Sequence, residues 1–229
     1  MKLTSTLSLL LSTSLSSASP LVLKQRDLTA DTQDDVVNGV CKQHTVIFAR
    51  GTTAPGNVGD SAGPPFFQAI ESLVGTGNLA VQGVNYDASI EGFLQVGSLF
   101  TVIIAANVDL DQGGDPQGGV TAVSIIEQAF TQCPDTKLVF SGYSQGAQIV
   151  HNAAKDLSAA TTAKISSVVT FGDPYNGTAV GTVPASRTLI ICHNGDNICE
   201  GGILIGPAHG NYSANAAQAA KFVVAQAAL

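Results

Sequence analysis

Apolar and polar positions along this chain alternate between two periods. Short apolar or alternating runs at His44–Ala49, Leu79–Tyr86, Leu138–Phe140, Ser167–Phe171 and Thr188–Cys192 have the length and residue types of strands. Between them, Pro64–Val74 spaces Phe66, Phe67, Ile70, Leu73 and Val74 as one face of a helix. Val120–Phe130 does the same with Val120, Val123, Ile126 and Phe130 turned inward, and Pro134 prevents its continuation. Gln145–Leu157 reads as a helix that follows a strand after one sharp turn, and about Ser213–Ala227 as a last, alanine-rich helix. Asp27–Gly39 is polar and reads as a loosely held arm or a first helix. Five strands alternating with helices predict an α/β fold, a three-layer α/β/α sandwich around a central parallel five-stranded sheet. Ligands of such sheets bind outside the carboxyl ends of the strands, where Thr52, Ser144 and the loop after Cys192 should gather.

Val96–Gln112 breaks this pattern. Without it, Glu91–Gln95 would join Gly113–Pro116 as a short Gly-rich connection. It reads as an inserted strand or helix, as an apolar lid, or as translated intron. The third reading has textual support. Val codons begin GT, Gln can be CAG, Ala106–Asn107 can be encoded with CTAAC, and 17 residues correspond to an intron-sized 51 nucleotides. A retained intron in the gene model is the expectation.

The start of the chain changes the charge. Lys2, an apolar run centred on Leu7–Leu15 and small residues ending at Ala18 read as a secretory signal peptide. Residues 19–26 then read as a pro-segment ending at the basic Lys24-Gln25-Arg26, which leaves 27–229 as one domain. The whole chain has 10 Lys and Arg against 17 Asp and Glu, a net charge of −7. Losing Lys2, Lys24 and Arg26, and no acid, takes the remainder to −10. Such a surface repels nucleic acid and anionic lipid, so neither is an expected partner. No later run has the 18 uninterrupted apolar residues of a membrane span. The product is expected to be secreted, extracellular and monomeric.

Four cysteines in an exported chain point to two disulfides before a metal site, since no C-x-x-C or helically spaced His pair occurs. Cys192 and Cys199 can close a small loop, which would leave Cys41 with Cys133; sequence alone allows three pairings. Asn176-Gly177-Thr178 and Asn211-Tyr212-Ser213 are N-glycosylation sequons.

Gly142-Tyr143-Ser144-Gln145-Gly146 sits between strand and helix, the context in which G-x-S-x-G forms a nucleophile elbow. Glycines on both sides let neighbouring backbone approach a strained turn that lifts the Ser144 hydroxyl clear of the sheet. A hydroxyl is a poor nucleophile at neutral pH and needs a base oriented by a third group. His44 opens a strand upstream, and His151 lies about two turns down the elbow helix, facing away. His193 follows Cys192 and is the second choice. His209, in the loop Gly206–Gly210 before the last helix, is the expected base. Asp196, inside the Cys192–Cys199 stretch, is the expected acid, with Asp173 as the alternative in a Gly-Asp-Pro turn. The oxyanion donors should be the Gln145 backbone N–H and Thr52. Nothing calls for a metal or organic cofactor.

These residues carry a resemblance. Pro134–Gly146, Cys192-His193-Asn194-Gly195-Asp196-Asn197-Ile198-Cys199, Gly201-Gly202, His209 and Phe48-Ala49-Arg50-Gly51-Thr52 make the chain similar to the cutinase family of secreted fungal serine esterases, which also holds the acetylxylan esterases. The resemblance covers nearly all of the region after residue 26 except Val96–Gln112. It implies an α/β-hydrolase-type sandwich, a triad of Ser144, Asp196 and His209, oxyanion residues Thr52 and Gln145, and disulfides Cys41–Cys133 and Cys192–Cys199. Thr52 stands where many cutinases have serine, and Ala54 where glutamate is common. The implied reaction is hydrolysis of carboxylic esters, cutin polyester first. Acetylxylan is the alternative substrate, and an inactive secreted effector or surface protein the non-enzymatic one. Ile203, Leu204 and Ile205 before His209 suit acyl chains, or merely pack their own loop.

Overall fold

A computed structural model describes residues 27–94 and 113–228. The signal-peptide and pro-segment readings, and the Val96–Gln112 insert, lie outside the described residues. Strands β1 (His44–Ala49), β2 (Leu79–Gly83), β3 (Lys137–Tyr143), β4 (Ile165–Phe171) and β5 (Thr188–Ile191) form one sheet in the order β2-β1-β3-β4-β5. Every neighbouring pair is parallel, as the alternation of elements requires.

The sheet is buried on both faces, so β1 is apolar and buried at nearly every position rather than at alternate ones. Its side chains still divide with period two. Ile47 and Ala49 pack with α3 (Pro116–Gln132) and α4 (Gln145–Asp156), while Val46 and Phe48 pack with α1 (Gly63–Val74) and α6 (Ala216–Ala227). Two helical layers on one sheet make the expected sandwich. Among the described residues, short helices α2 (Ile90–Leu94) and α5 (Ala159–Lys164) are the remaining α-helices.

Local chemistry moves several boundaries. Helix α3 starts at Pro116, earlier than the apolar period suggests, because the Asp115 carboxylate accepts the Gly118 N–H at 2.7 Å and Pro116 suits the first helical turn. Val120 is 57% exposed, not inward, and Leu73 of α1 is 48% exposed. Strand β2 ends at Gly83, short of Tyr86, and α6 begins at Ala216 after a 3₁₀ turn over Tyr212–Asn215. Helix α5, too short for periodicity to reveal, is capped by Ser158 Oγ accepting the Thr161 N–H at 3.0 Å.

The polar N-terminal stretch is neither loose nor a helix. Gln33–Asp35 run antiparallel along the outer side of β2, with Asp34 bridged to Gln82. Gly83 N–H donates to Gln33 O at 2.8 Å, Asp35 N–H to Val81 O at 3.1 Å, and Val81 N–H to the Asp35 carboxylate at 2.7 Å. An edge strand has backbone groups in need of partners, and this arm supplies them. Cys41–Cys133 then ties the approach to β1 to the end of α3 across 92 residues of sequence. Closing so long a loop is worth about 4–5 kcal/mol in a chain-entropy account.

Candidate active site

Ser144 joins β3 to α4 with φ 57° and ψ −122°, a left-handed region that costs a non-glycine residue about 1–3 kcal/mol. Close packing enforces it. A Cβ at Gly142 would sit 2.2 Å from Gly146 O, and one at Gly146 would sit 2.0 Å from Ala49 O. Both glycines are therefore required by contact. They also draw the start of α4 onto the carboxyl end of β1, which brings the 50–52 turn beside Ser144. The Ser144 N–H donates to Phe171 O at 2.9 Å, anchoring the turn to β4 as well.

His209 Nε2 lies 2.9 Å from Ser144 Oγ, and its Nδ1 lies 2.9 and 3.0 Å from the two Asp196 carboxylate oxygens. All three residues are at most 4% exposed. The Asp196 carboxylate has two further donors. Tyr212 OH donates to Oδ2 at 2.5 Å and the Ile198 N–H to Oδ1 at 3.1 Å. Burial alone would raise this carboxyl's pKa; the bonds from Tyr212 and His209, the His209 charge and the Ile198 N–H outweigh it and leave the pKa below the ordinary 3.8. The Cys192–Cys199 disulfide closes the short loop that carries Asp196.

The loop bearing His209 is held from several sides. Tyr143 OH donates to His209 O at 2.7 Å, and the two rings stack with centroids 5.1 Å apart. Burial first, and the Asp196 charge second, push the Tyr143 phenol up to about 12, so it remains a donor. Gly172 has φ 55°, and a Cβ there would lie 2.7 Å from His209 Cε1. Thr52 lines a cleft of about 370 Å³ with Tyr143, Ser144, Ile205 and His209. Arg50 braces its turn, donating to Ala54 O at 2.8 Å and to Tyr86 O at 2.7 Å, and the Tyr86 hydroxyl donates back to Arg50 O. Gln145 begins α4, whose amino-terminal dipole favours negative charge near Ser144, and its side chain donates to Ser89 O at 2.6 Å.

The other candidates fall elsewhere. His44 opens β1, at the end of the sheet opposite Ser144. Asp173 pairs with His151 Nε2 at 3.0 Å and accepts from Thr170 Oγ1 and the Tyr175 N–H. It forms a buried turn of its own and does not orient His209. His193 touches the His209 loop from behind. Ile203, Leu204 and Ile205 are 56–70% exposed, so they do not merely pack their loop. Asn176 and Asn211 are both exposed. Among the described residues, no group of three or more His, Cys, Asp or Glu side chains could hold a metal ion.

Sequence reasoning missed Tyr143, Tyr212, Arg50 and His193 as supports. Two signals were available: Tyr143 is the second residue of the pentapeptide, and Tyr212 lies three residues past His209.

A hydroxyl, an imidazole and a carboxylate in line at the carboxyl end of a parallel sheet define a serine hydrolase of the α/β-hydrolase type. Comparison with known proteins narrows this. The cutinase family model matches residues 40–227. A cutinase of Botryotinia fuckeliana is 51% identical over 189 residues, covering 82% of this chain and 85% of that protein. Cutinase pbc1 of Pyrenopeziza brassicae is 48% identical over 187 residues, covering 82% and 84%. The structure of Trichoderma reesei cutinase in complex with a phosphonate inhibitor superposes with a TM-score of 0.75 at 43% identity, covering 87% of this chain and 81% of that one. An acetylxylan esterase structure at 22% identity and a TM-score of 0.60, covering 82% and 99%, shares the fold. The chain belongs to the cutinase family, and is a carboxylic ester hydrolase.

Proposed function

We propose that this chain is a secreted esterase that hydrolyses cutin polyester and short-chain carboxylic esters through an acyl-Ser144 intermediate. One observation carries the reading: His209 stands between the Ser144 hydroxyl and the Asp196 carboxylate, within 3.0 Å of each. Ser144 Oγ attacks the ester carbonyl while His209 Nε2 takes its proton. Asp196 holds the tautomer with Nδ1–H toward itself and stabilises the imidazolium. The tetrahedral oxyanion is received by the Gln145 N–H and by Thr52, each donor worth about 2.7–4 kcal/mol of barrier. Collapse releases the alcohol with the proton from His209. Water then repeats the sequence on the acyl-enzyme, releasing the acid.

Cutin comes before acetylxylan because relatives near half identity are cutinases, whereas the acetylxylan esterase likeness extends only to the fold. Ile205 lines the cleft, and with its exposed neighbours Ile203 and Leu204 suits a waxy acyl surface. The phosphonate bound by the T. reesei enzyme is a class of reagent that traps an activated serine. The signal-like first 18 residues and the two disulfides favour export. Asn176 and Asn211 would then carry N-glycans, the latter two residues past His209.

The test is a substrate panel. Release of p-nitrophenol from p-nitrophenyl butyrate and of hydroxy acids from cutin is expected, abolished in Ser144→Ala. Acetate release from acetylated xylan with no action on the butyrate or on cutin would overturn the cutin assignment. A folded protein that a fluorophosphonate probe never labels would overturn catalysis altogether.

A further inference from the structure

A base carried on a loop is only as well aimed as the peptide planes on either side of its Cα. The plane after His209 is fixed by Tyr143 OH donating to His209 O at 2.7 Å. The plane before it is fixed from the other direction, since His193 Nδ1 lies 2.7 Å from Ala208 O. A carbonyl only accepts, so Nδ1 carries the proton in that contact. His193 is itself held in three ways. It stacks on Tyr212 with centroids 4.1 Å apart and planes 11° from parallel, its Nε2 lies 2.7 Å from Asn215 Oδ1, and its backbone N–H donates to Tyr212 OH at 3.0 Å. That same Tyr212 hydroxyl bonds Asp196. One rigid group therefore touches the backbone that aims the imidazole and the phenol that holds the acid.

We propose that His193 is a positioning residue for the ester hydrolysis. By donating from Nδ1 to Ala208 O, it sets the orientation in which His209 meets Ser144 and Asp196. It reaches neither substrate nor the reacting atoms. The inference rests on His209 being the base.

Three variants separate this role from packing. His193→Asn keeps an amide N–H close to the position of Nδ1, His193→Gln moves it toward Nε2, and His193→Phe keeps the stack with no donor. For each, the rate of fluorophosphonate labelling at Ser144, kcat and KM for p-nitrophenyl butyrate, and the thermal midpoint are measured. His193→Phe is expected to lower labelling and kcat together by roughly 10- to 100-fold at nearly constant KM. His193→Asn is expected to restore both to within about fivefold of the native protein, and His193→Gln to restore less. Labelling of His193→Phe within about twofold of native, whatever its midpoint, overturns the proposal. If His193→Phe does not fold, the amide pair decides: Asn faster than Gln supports the role, and equal rates overturn it. A native protein that labels at Ser144 while the variants are indistinguishable defeats the positioning role alone, whereas an unlabelled native protein defeats the base assignment with it.

Discussion

The Tyr212 hydroxyl donates to Asp196 Oδ2 at 2.5 Å, from a ring that also packs edge-on against His209 at 6.1 Å. A hydrogen bond to a charged acceptor contributes about 1.5–3 kcal/mol, here to the ionised form of the acid. Asp196 has a depressed pKa in the folded protein, so its contribution to stability is complete above the ordinary 3.8 and is lost as pH falls through the lower folded value. Tyr212→Phe raises that folded value and shrinks the contribution. Urea unfolding should show native protein losing more stability than Tyr212→Phe between about pH 5 and pH 2.5. Its kcat is expected to fall by about tenfold. Equal acid sensitivity in the two proteins would contradict the role given to the phenol.

Gly146 offers a harder test of the turn. An added Cβ meets Ala49 O at 2.0 Å and Arg50 O at 2.7 Å, both backbone atoms with no rotamer to yield. Gly146→Ala is expected to destabilise by roughly 1–3 kcal/mol or more in urea unfolding. Labelling at Ser144 should slow with it, because the shift must separate α4 from β1.

His44 gives a second pH signature. Burial first, and the charge of Lys137 second, hold its imidazole below the ordinary 6.5. The unfolded chain therefore takes up the proton first, so stability is greatest above about pH 6.5 and declines as pH falls toward the folded value. The thermal midpoint of native protein should fall more steeply between about pH 7 and pH 5 than that of His44→Gln, which does not titrate. Parallel profiles would remove His44 as a source.

The flanks of the inserted segment are already joined. Gly114 N–H donates to Gly92 O at 3.0 Å, and Gly113 O accepts from Asn152 Nδ2 and Tyr175 OH. Deleting Val96–Gln112 leaves Gly114 five positions after Gly92, the spacing of the 6→1 bond that closes many helices. The shortened chain is expected to fold and to label at Ser144 at a rate within about threefold of the full chain. Sequencing the transcript addresses the origin directly, since a cDNA encoding those 17 residues ends the retained-intron reading.

The sheet was legible because strands buried on both faces leave unbroken apolar runs, and the elbow because only glycine satisfies contacts as close as those at positions 142 and 146. That the imidazole of His209 rather than His193 comes within 2.9 Å of Ser144 was also legible, since chain order and loop setting separate them. The supports were not. Nothing in the letters around Tyr212 says that its hydroxyl turns toward a carboxylate 16 residues earlier, because that bond depends on how two loops lie across the sheet end. Asp34 and Asp35 lie in the stretch that the letters present only as a loosely held arm or a first helix, for a similar reason. Their value lies in the backbone groups of β2, which a one-dimensional pattern does not display. Val120 was misjudged because periodicity gives a face but not where that face ends.

The arm along β2 has an effect on how this molecule keeps company with itself. Trimming past Asp35 would leave the amides of Val81 and Gly83 unanswered, and an unanswered rim recruits strands from other chains. Ser144 lies two strands inward, at the end of β3, so such a clipped protein would keep its chemistry and lose its solubility. Clumping, rather than inactivity, would be the first symptom.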